Sequence, residues 1–177
     1  MESTVLRDAV ASSVARMREF VAGVTPSTEQ LTEMAGTLRN LAMSPLWSAS
    51  SFRAALPGEE LVYELAVAPG VPSLYLVSDG VGTSSAPHRH GTWAIIAGVR
   101  GRESNVVFRV TDRNEELVAP ADVVAVGRGE TLIFTAESVH ATEVAGVEAT
   151  FHLHLYGCPL HELPSFQSRC YRVAPAA

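Results

Sequence analysis

The chain has 177 residues, 47% of them hydrophobic and 18% charged, which is enough for one domain with a full core and too short for two comfortable ones. The composition excludes general disorder, and a net charge of −6 without any basic run argues against a nucleic-acid binder. No apolar run approaches the roughly 20 residues that a membrane span needs, and charges spread through residues 1–20 do not suit a secretory leader. A cytoplasmic protein is expected, in contact with neither nucleic acid nor membrane. Cys158 and Cys170 form no CxxC motif and are too few for a disulfide framework, so free thiols are expected.

Two helices open the chain. From Thr4 to Val21 the apolar positions Val5, Ala9, Val14, Met17 and Val21 recur every three to four residues, as an amphipathic helix requires. Gly23 and Pro26 break the pattern. Ser27 and Gln30 have the spacing of a capping box, which places a second helix from about Thr28 to Leu41. "MSPLWSASSF" then reads as a linker in which Leu46 and Trp47 plug one end of the main fold.

From about Leu61 short runs rich in Val, Ile, Leu, Tyr and Phe alternate with Gly, Pro, Asp and Asn breaks. The runs are "LVYELAVA", "SLYLVSD", "TWAIIAGV", "NVVFRV", "DVVAV", "TLIFT", "ATFHLHLYG" and "RCYRV". Regular short strands with turn signals between them predict an antiparallel sandwich or barrel. The expected class is all-β with an N-terminal pair of α-helices. Residues 1–55 form the helical segment and 56–177 the barrel, within a single domain overall.

Five of the six histidines sit on or beside predicted strands. His88 and His90 are two apart, so on a strand both side chains face the same side while Arg89 faces the other. His140 follows "TLIFT". His152 and His154 share a face of "FHLHLYG" with Tyr156. Buried, hydrogen-bonded histidines would account for one such pair, but core strands rarely carry five imidazoles without a site that uses them. Phe108, Phe134 and Phe151 read as core residues, and His161 reads as a surface residue in a proline-bounded loop.

These positions resemble the cupin superfamily. Its first motif is a glycine, five residues, HxH, three or four residues, a glutamate, six residues and a glycine. Gly82, His88, His90 and Gly101 occupy those places, and the glutamate slot falls on Ala94. Gly129 and His140 hold the mutual spacing of the second motif, while Thr135 and Glu137 stand where its proline and second glycine belong. The resemblance implies a cupin double-stranded β-helix, a jelly-roll barrel, and a metal held by His88, His90 and His140. Three neutral ligands leave the 2+ charge uncompensated and favour an anionic ligand, and imidazole suits iron, nickel, copper and zinc alike.

Within that superfamily, "PHRHGTWAIIAGVRGRE" and "HLHLYG" look like the thiol dioxygenases, namely cysteine dioxygenase and, more closely, the bacterial 3-mercaptopropionate type. That likeness implies Fe(2+) on three histidines and oxidation of a small carboxylated thiol to its sulfinate with O2. It also implies a relay at His152, His154 and Tyr156. Its serine is replaced here by His152, and the cysteine that cross-links to the tyrosine in the mammalian type falls on Ala94. The early substrate arginine of cysteine dioxygenase has no counterpart, with Leu65 near its place. Arg169 is the candidate carboxylate anchor, Arg172 is the alternative on the opposite strand face, and Trp93 beside the ligand strand is a further candidate for substrate contact or for packing. Other three-histidine cupin enzymes, such as a diketone-cleaving dioxygenase or a metal-dependent isomerase, remain open, as does a non-catalytic small-molecule-binding cupin. Cupins often dimerise, so a homodimer is expected by family analogy.

Overall fold

Both amphipathic segments are helical in the computed structural model, which describes residues 4–21, 25–112, 114 and 116–175. α1 (Thr4–Glu19) buries Leu6, Val10, Val14 and Met17, so its inward stripe starts at Leu6, and Val5 is exposed. α2 (Thr28–Ala42) buries Leu31, Met34, Leu38 and Leu41. Each fully buried Leu or Met stabilises the packed state by about 1.5–3 kcal/mol. The expected capping box forms: Gln30 N donates to Ser27 Oγ, and Ser27 N donates to Gln30 Oε1. Beyond α2 a short 3-10 helix, Pro45–Ala49, buries Trp47, whose Nε1 donates to Leu41 O at 2.7 Å.

Ten strands follow among the described residues: β1 (Glu60–Ala66), β2 (Ser73–Asp79), β3 (His88–Arg89), β4 (Ala94–Arg100), β5 (Arg102–Asp112), β6 (Leu117–Gly127), β7 (Thr131–Phe134), β8 (Val139–Glu143), β9 (Phe151–Tyr156) and β10 (Arg172–Val173). They form two five-stranded sheets, ordered β1-β2-β9-β4-β7 and β10-β6-β5-β8-β3. Among the described strands, only β1 to β2 and β5 to β6 stay within one sheet, and every other pair of sequence neighbours sits in opposite sheets. This crossing back and forth makes the expected double-stranded β-helix, the cupin barrel, with two N-terminal helices.

The apolar runs of β2, β4 and β9 are continuous because the first sheet is covered on both faces. Leu74, Leu76, Ile95, Ala97, Leu153 and Leu155 pack with α1 and α2 in one cluster. The alternate residues Tyr75, Ala94, Ile96, Phe134 and Tyr156 form a second cluster inside the barrel. The inner face of β9 therefore consists of His152, His154 and Tyr156.

Three elements differ from the sequence expectation. β3 ends at Arg89, so His90 stands just past a strand instead of within one. His140 lies inside a strand, β8, whose polar sequence gave no strand signal. "RCYRV" is extended for only two residues, Arg172–Val173, and its first residue, Arg169, closes a 3-10 turn that spans Gln167–Arg169. Among the described residues, no helix is long and apolar enough to cross a membrane.

Candidate metal centre

β3 and β8 pair antiparallel with His88 opposite His140, and Gly91, at φ +75°, turns the chain so that His90 joins them. All three imidazoles are buried, and they each offer one nitrogen such that the three atoms lie within 4.8 Å of one another. Nε2 of His90 and Nε2 of His140 are 3.0 Å apart. Two ligand nitrogens at the usual metal–nitrogen length of about 2.1 Å stand about 3.0 Å apart when they subtend a right angle.

Hydrogen bonds select the ligand atoms. His88 Nδ1 lies 3.0 Å from Ala86 O, a pure acceptor, so Nδ1 carries the proton and Nε2 keeps its lone pair. Asn105 Nδ2 donates to Glu103 Oε1 at 3.0 Å, which turns its Oδ1 toward His140 Nδ1 at 2.9 Å. His140 therefore also carries its proton on Nδ1 and offers Nε2. His90 Nδ1 is buried with no partner among the described residues. Burial pulls His88 below the ordinary histidine value, and pulls His90 and His140 well below it, so all three are neutral and able to ligate near pH 7. The donor set fits a divalent metal with imidazole preference.

Ala94 occupies the slot where a cupin carboxylate would stand, fully buried in the inner cluster beside Phe134 and Tyr156. Among the described residues no carboxylate joins the three imidazoles, and the acidic residues that line the same cavity are Glu60, Asp79 and Glu103. Glu103 and Asp79 are buried, and burial pushes both up to about 7, helped at Asp79 by the neighbouring Glu103 and opposed at Glu103 by its hydrogen bonds to Asn105 and Asp79. The apolar run "NVVFRV" begins at Asn105, which leaves Glu103 outside the predicted strand and Asn105 without a site role at its edge. Residues 103, 105 and 107 nonetheless alternate onto one face of β5, which was the available signal.

Two of the three relay candidates, His154 and Tyr156, are brought to the same cavity. His154 Nδ1 lies 3.0 Å from the Tyr156 hydroxyl, and the Tyr156 ring stands edge-on to His90 at 5.1 Å. His154 Nε2 is buried without a partner among the described residues. Burial raises Tyr156 well above the ordinary phenol value, so its hydroxyl stays protonated and available as a donor. His152 points elsewhere: Nε2 lies 3.0 Å from Val126 O, and Nδ1 faces Glu103 Oε2 at 4.0 Å.

A cavity of about 260 Å³ joins these groups, lined by His88, His90, His140, His154, Tyr156, Phe166 and Arg169 at one end. Arg169 is half-buried and acts as a strap. Its Nη1 donates to Arg89 O at 2.7 Å and to His90 O at 3.2 Å, and its Nε donates to Pro164 O at 2.9 Å. Phe166 packs on His88, with ring centroids 4.9 Å apart. The other two substrate candidates are not in the cavity. Trp93 precedes Ala94, and since Ala94 faces inward, Trp93 faces the helix-side core against which it packs. Arg172 is exposed on β10 at the far edge of the second sheet. His161 is exposed, and Cys158 and Cys170 are free thiols, as expected.

No protein-family model and no curated protein sequence matches the chain. Several solved structures resemble it. A cupin superfamily protein from Desulfitobacterium hafniense is 16% identical, with 66% of this chain and 90% of that one covered at a TM-score of 0.46. A cupin 2 conserved barrel domain protein from Leptotrichia buccalis is 20% identical over 63% of this chain and 45% of that one, at 0.47. An oxalate oxidase in complex with the substrate analogue glycolate is 20% identical over 62% and 56%, at 0.48. The first two are cupins by description. The fold assignment here rests on the strand order and register of this chain itself.

Proposed function

We propose that the protein is a metal-dependent cupin enzyme, an iron(II) dioxygenase that converts a small thiol to its sulfinate. The observation that carries the reading is a set of three neutral imidazoles without a carboxylate ligand, beside a buried phenol held by a histidine. Iron(II) on His88, His90 and His140 would supply open positions at which a thiolate and O2 meet. The overall change keeps both oxygen atoms: thiolate plus O2 gives sulfinate, sulfur supplies the four electrons, and no external reductant is needed.

The chain's own groups have definite parts in this scheme. Lack of a carboxylate ligand leaves positive charge for the thiolate to neutralise. In the tautomer that carries its proton on Nδ1, His154 would donate to the Tyr156 oxygen and free the phenol hydrogen to point at the reacting atoms. Phe134, Phe166 and Tyr156 surround the imidazoles and limit water. Arg169 holds the carbonyls of Arg89 and His90, and so fixes the turn that carries two of the three imidazoles.

The test is O2 consumption by iron(II)-loaded protein in an oxygen electrode, with cysteine, cysteamine, 3-mercaptopropionate, mercaptosuccinate and the longer 6-aminohexane-1-thiol as substrates. Uptake stoichiometric with sulfinate on at least one thiol supports the proposal. No uptake on any of them refutes it.

A further inference from the structure

The cavity that meets the imidazoles at one end is acidic at the other, where Glu60, Asp79 and Glu103 line it. Asp79 is 5% and Glu103 1% exposed, and no arginine is paired with either among the described residues. Buried carboxylates without a cationic partner are costly.

His152 provides an independent observation at the same place. Its Nε2 proton goes to Val126 O, so Nδ1 is a bare acceptor. That nitrogen is fully buried, faces Glu103 Oε2 at 4.0 Å and has no hydrogen-bond partner among the described residues. Glu103 thus faces His152 Nδ1 and shares a hydrogen bond with Asp79, and apart from that one carboxyl proton these groups are all acceptors. A carboxyl proton shared within the pair satisfies one contact and leaves the others. An ammonium group brings three donors and a positive charge.

The opposite end does not offer the converse. Arg169 already spends Nε and Nη1 on three backbone carbonyls, which leaves it poorly placed for a bidentate grip on a carboxylate.

We propose that Asp79, Glu103 and Glu60 form a subsite for a protonated amine, so that the substrate carries an alkylammonium group at one end and its reacting group at the end facing the imidazoles. The second half of this statement rests on the function proposed above, and the amine subsite does not. His140 is in register with Val107, and Glu103 lies four residues further along β5. That is about 13 Å of strand at a rise of about 3.3 Å per residue. Glu103 leans back to Asn105, so a substrate touching both ends is on the order of 10 Å long. The class is an extended aminoalkyl compound, longer than a three-carbon thiol.

Calorimetric titration at pH 8 with hexylamine, hexanoate and hexanol, on protein as purified and without added iron, tests the subsite. Hexylamine is expected to bind at least tenfold more tightly than either of the others, and Asp79→Asn and Glu103→Gln are each expected to weaken it at least tenfold. Equal binding of the three probes to the wild-type protein overturns the proposal, and so does unchanged hexylamine affinity in both variants. Should a variant fail to fold, the three-probe comparison on the wild type decides alone. Because the titration reads amine binding and not O2 uptake, its failure leaves the oxygenase reading standing, and a failed oxygenase assay leaves the amine subsite standing.

Discussion

Asn105 joins His140 to Glu103: its Oδ1 lies 2.9 Å from His140 Nδ1, and its Nδ2 donates to Glu103 Oε1 at 3.0 Å. The Glu103 carboxylate thus stands one hydrogen-bonded step outward from His140. From there it orients an imidazole and adds to its basicity without occupying a ligand position. Replacing Asn105 with Leu keeps the size and removes the acceptor. Metal affinity, read by competition with a chromophoric chelator, is expected to fall about 10- to 100-fold. Unchanged affinity would show that the Asn105 bridge does not matter to the site.

Tyr156 is argued to act on the reacting atoms, and not to hold the metal. Tyr156→Phe should leave metal content unchanged and lower turnover roughly 10- to 100-fold, the value of one hydrogen bond to a charged group. Metal analysis beside steady-state rates checks this. Wild-type kinetics in the variant would remove the hydroxyl from the mechanism.

The buried carboxyl pair gives a pH signature of stated sign. Both groups are raised in the folded state by burial, to about 7. Their contribution to stability is therefore present below the ordinary carboxylate range near pH 4 and is lost as pH rises toward 7. The buried histidines run the other way, since their lowered values make stability rise with pH up to about 6.5. Glu103→Gln removes one carboxyl and isolates its share. The variant's melting temperature, relative to wild type, is expected to climb between pH 5 and pH 8. A constant difference across that range contradicts the buried-pair assignment.

How far the sequence reveals this site depends on the residue. His88 and His90 declare themselves by HxH spacing, and the alternation of His152, His154 and Tyr156 fixes their shared inner face because β9 is regular. Trp93 follows the same parity argument to the opposite face. β8 escaped notice because "VHATE" carries too little apolar character, and its strand state comes from pairing with β5 and β3. Arg169 was legible as a cavity residue but not as a strap. Its partners are backbone carbonyls about 80 residues away, and main-chain acceptors leave no residue-type signal in a sequence. Asp79 ends an apolar strand and reads as a turn residue, so only the facing of β5 against β2 reveals it as half of a buried pair.

The strap has a test of its own. Arg169→Lys keeps the charge and loses the planar fork that reaches two carbonyls at once. Amide hydrogen exchange in residues 86–91 and 164–171 is expected to speed up at least tenfold, with the rest of the barrel unchanged. Protection equal to wild type would mean the turn is held by the strands alone.

The most direct measurement is iron(II) stoichiometry after anaerobic loading and desalting, compared between wild type and His140→Ala. One iron per chain in the wild type and under a tenth of that in the variant is expected, because His140 supplies the third imidazole of the site. Full iron retention by His140→Ala, or none in the wild type, contradicts a three-histidine centre at His88, His90 and His140.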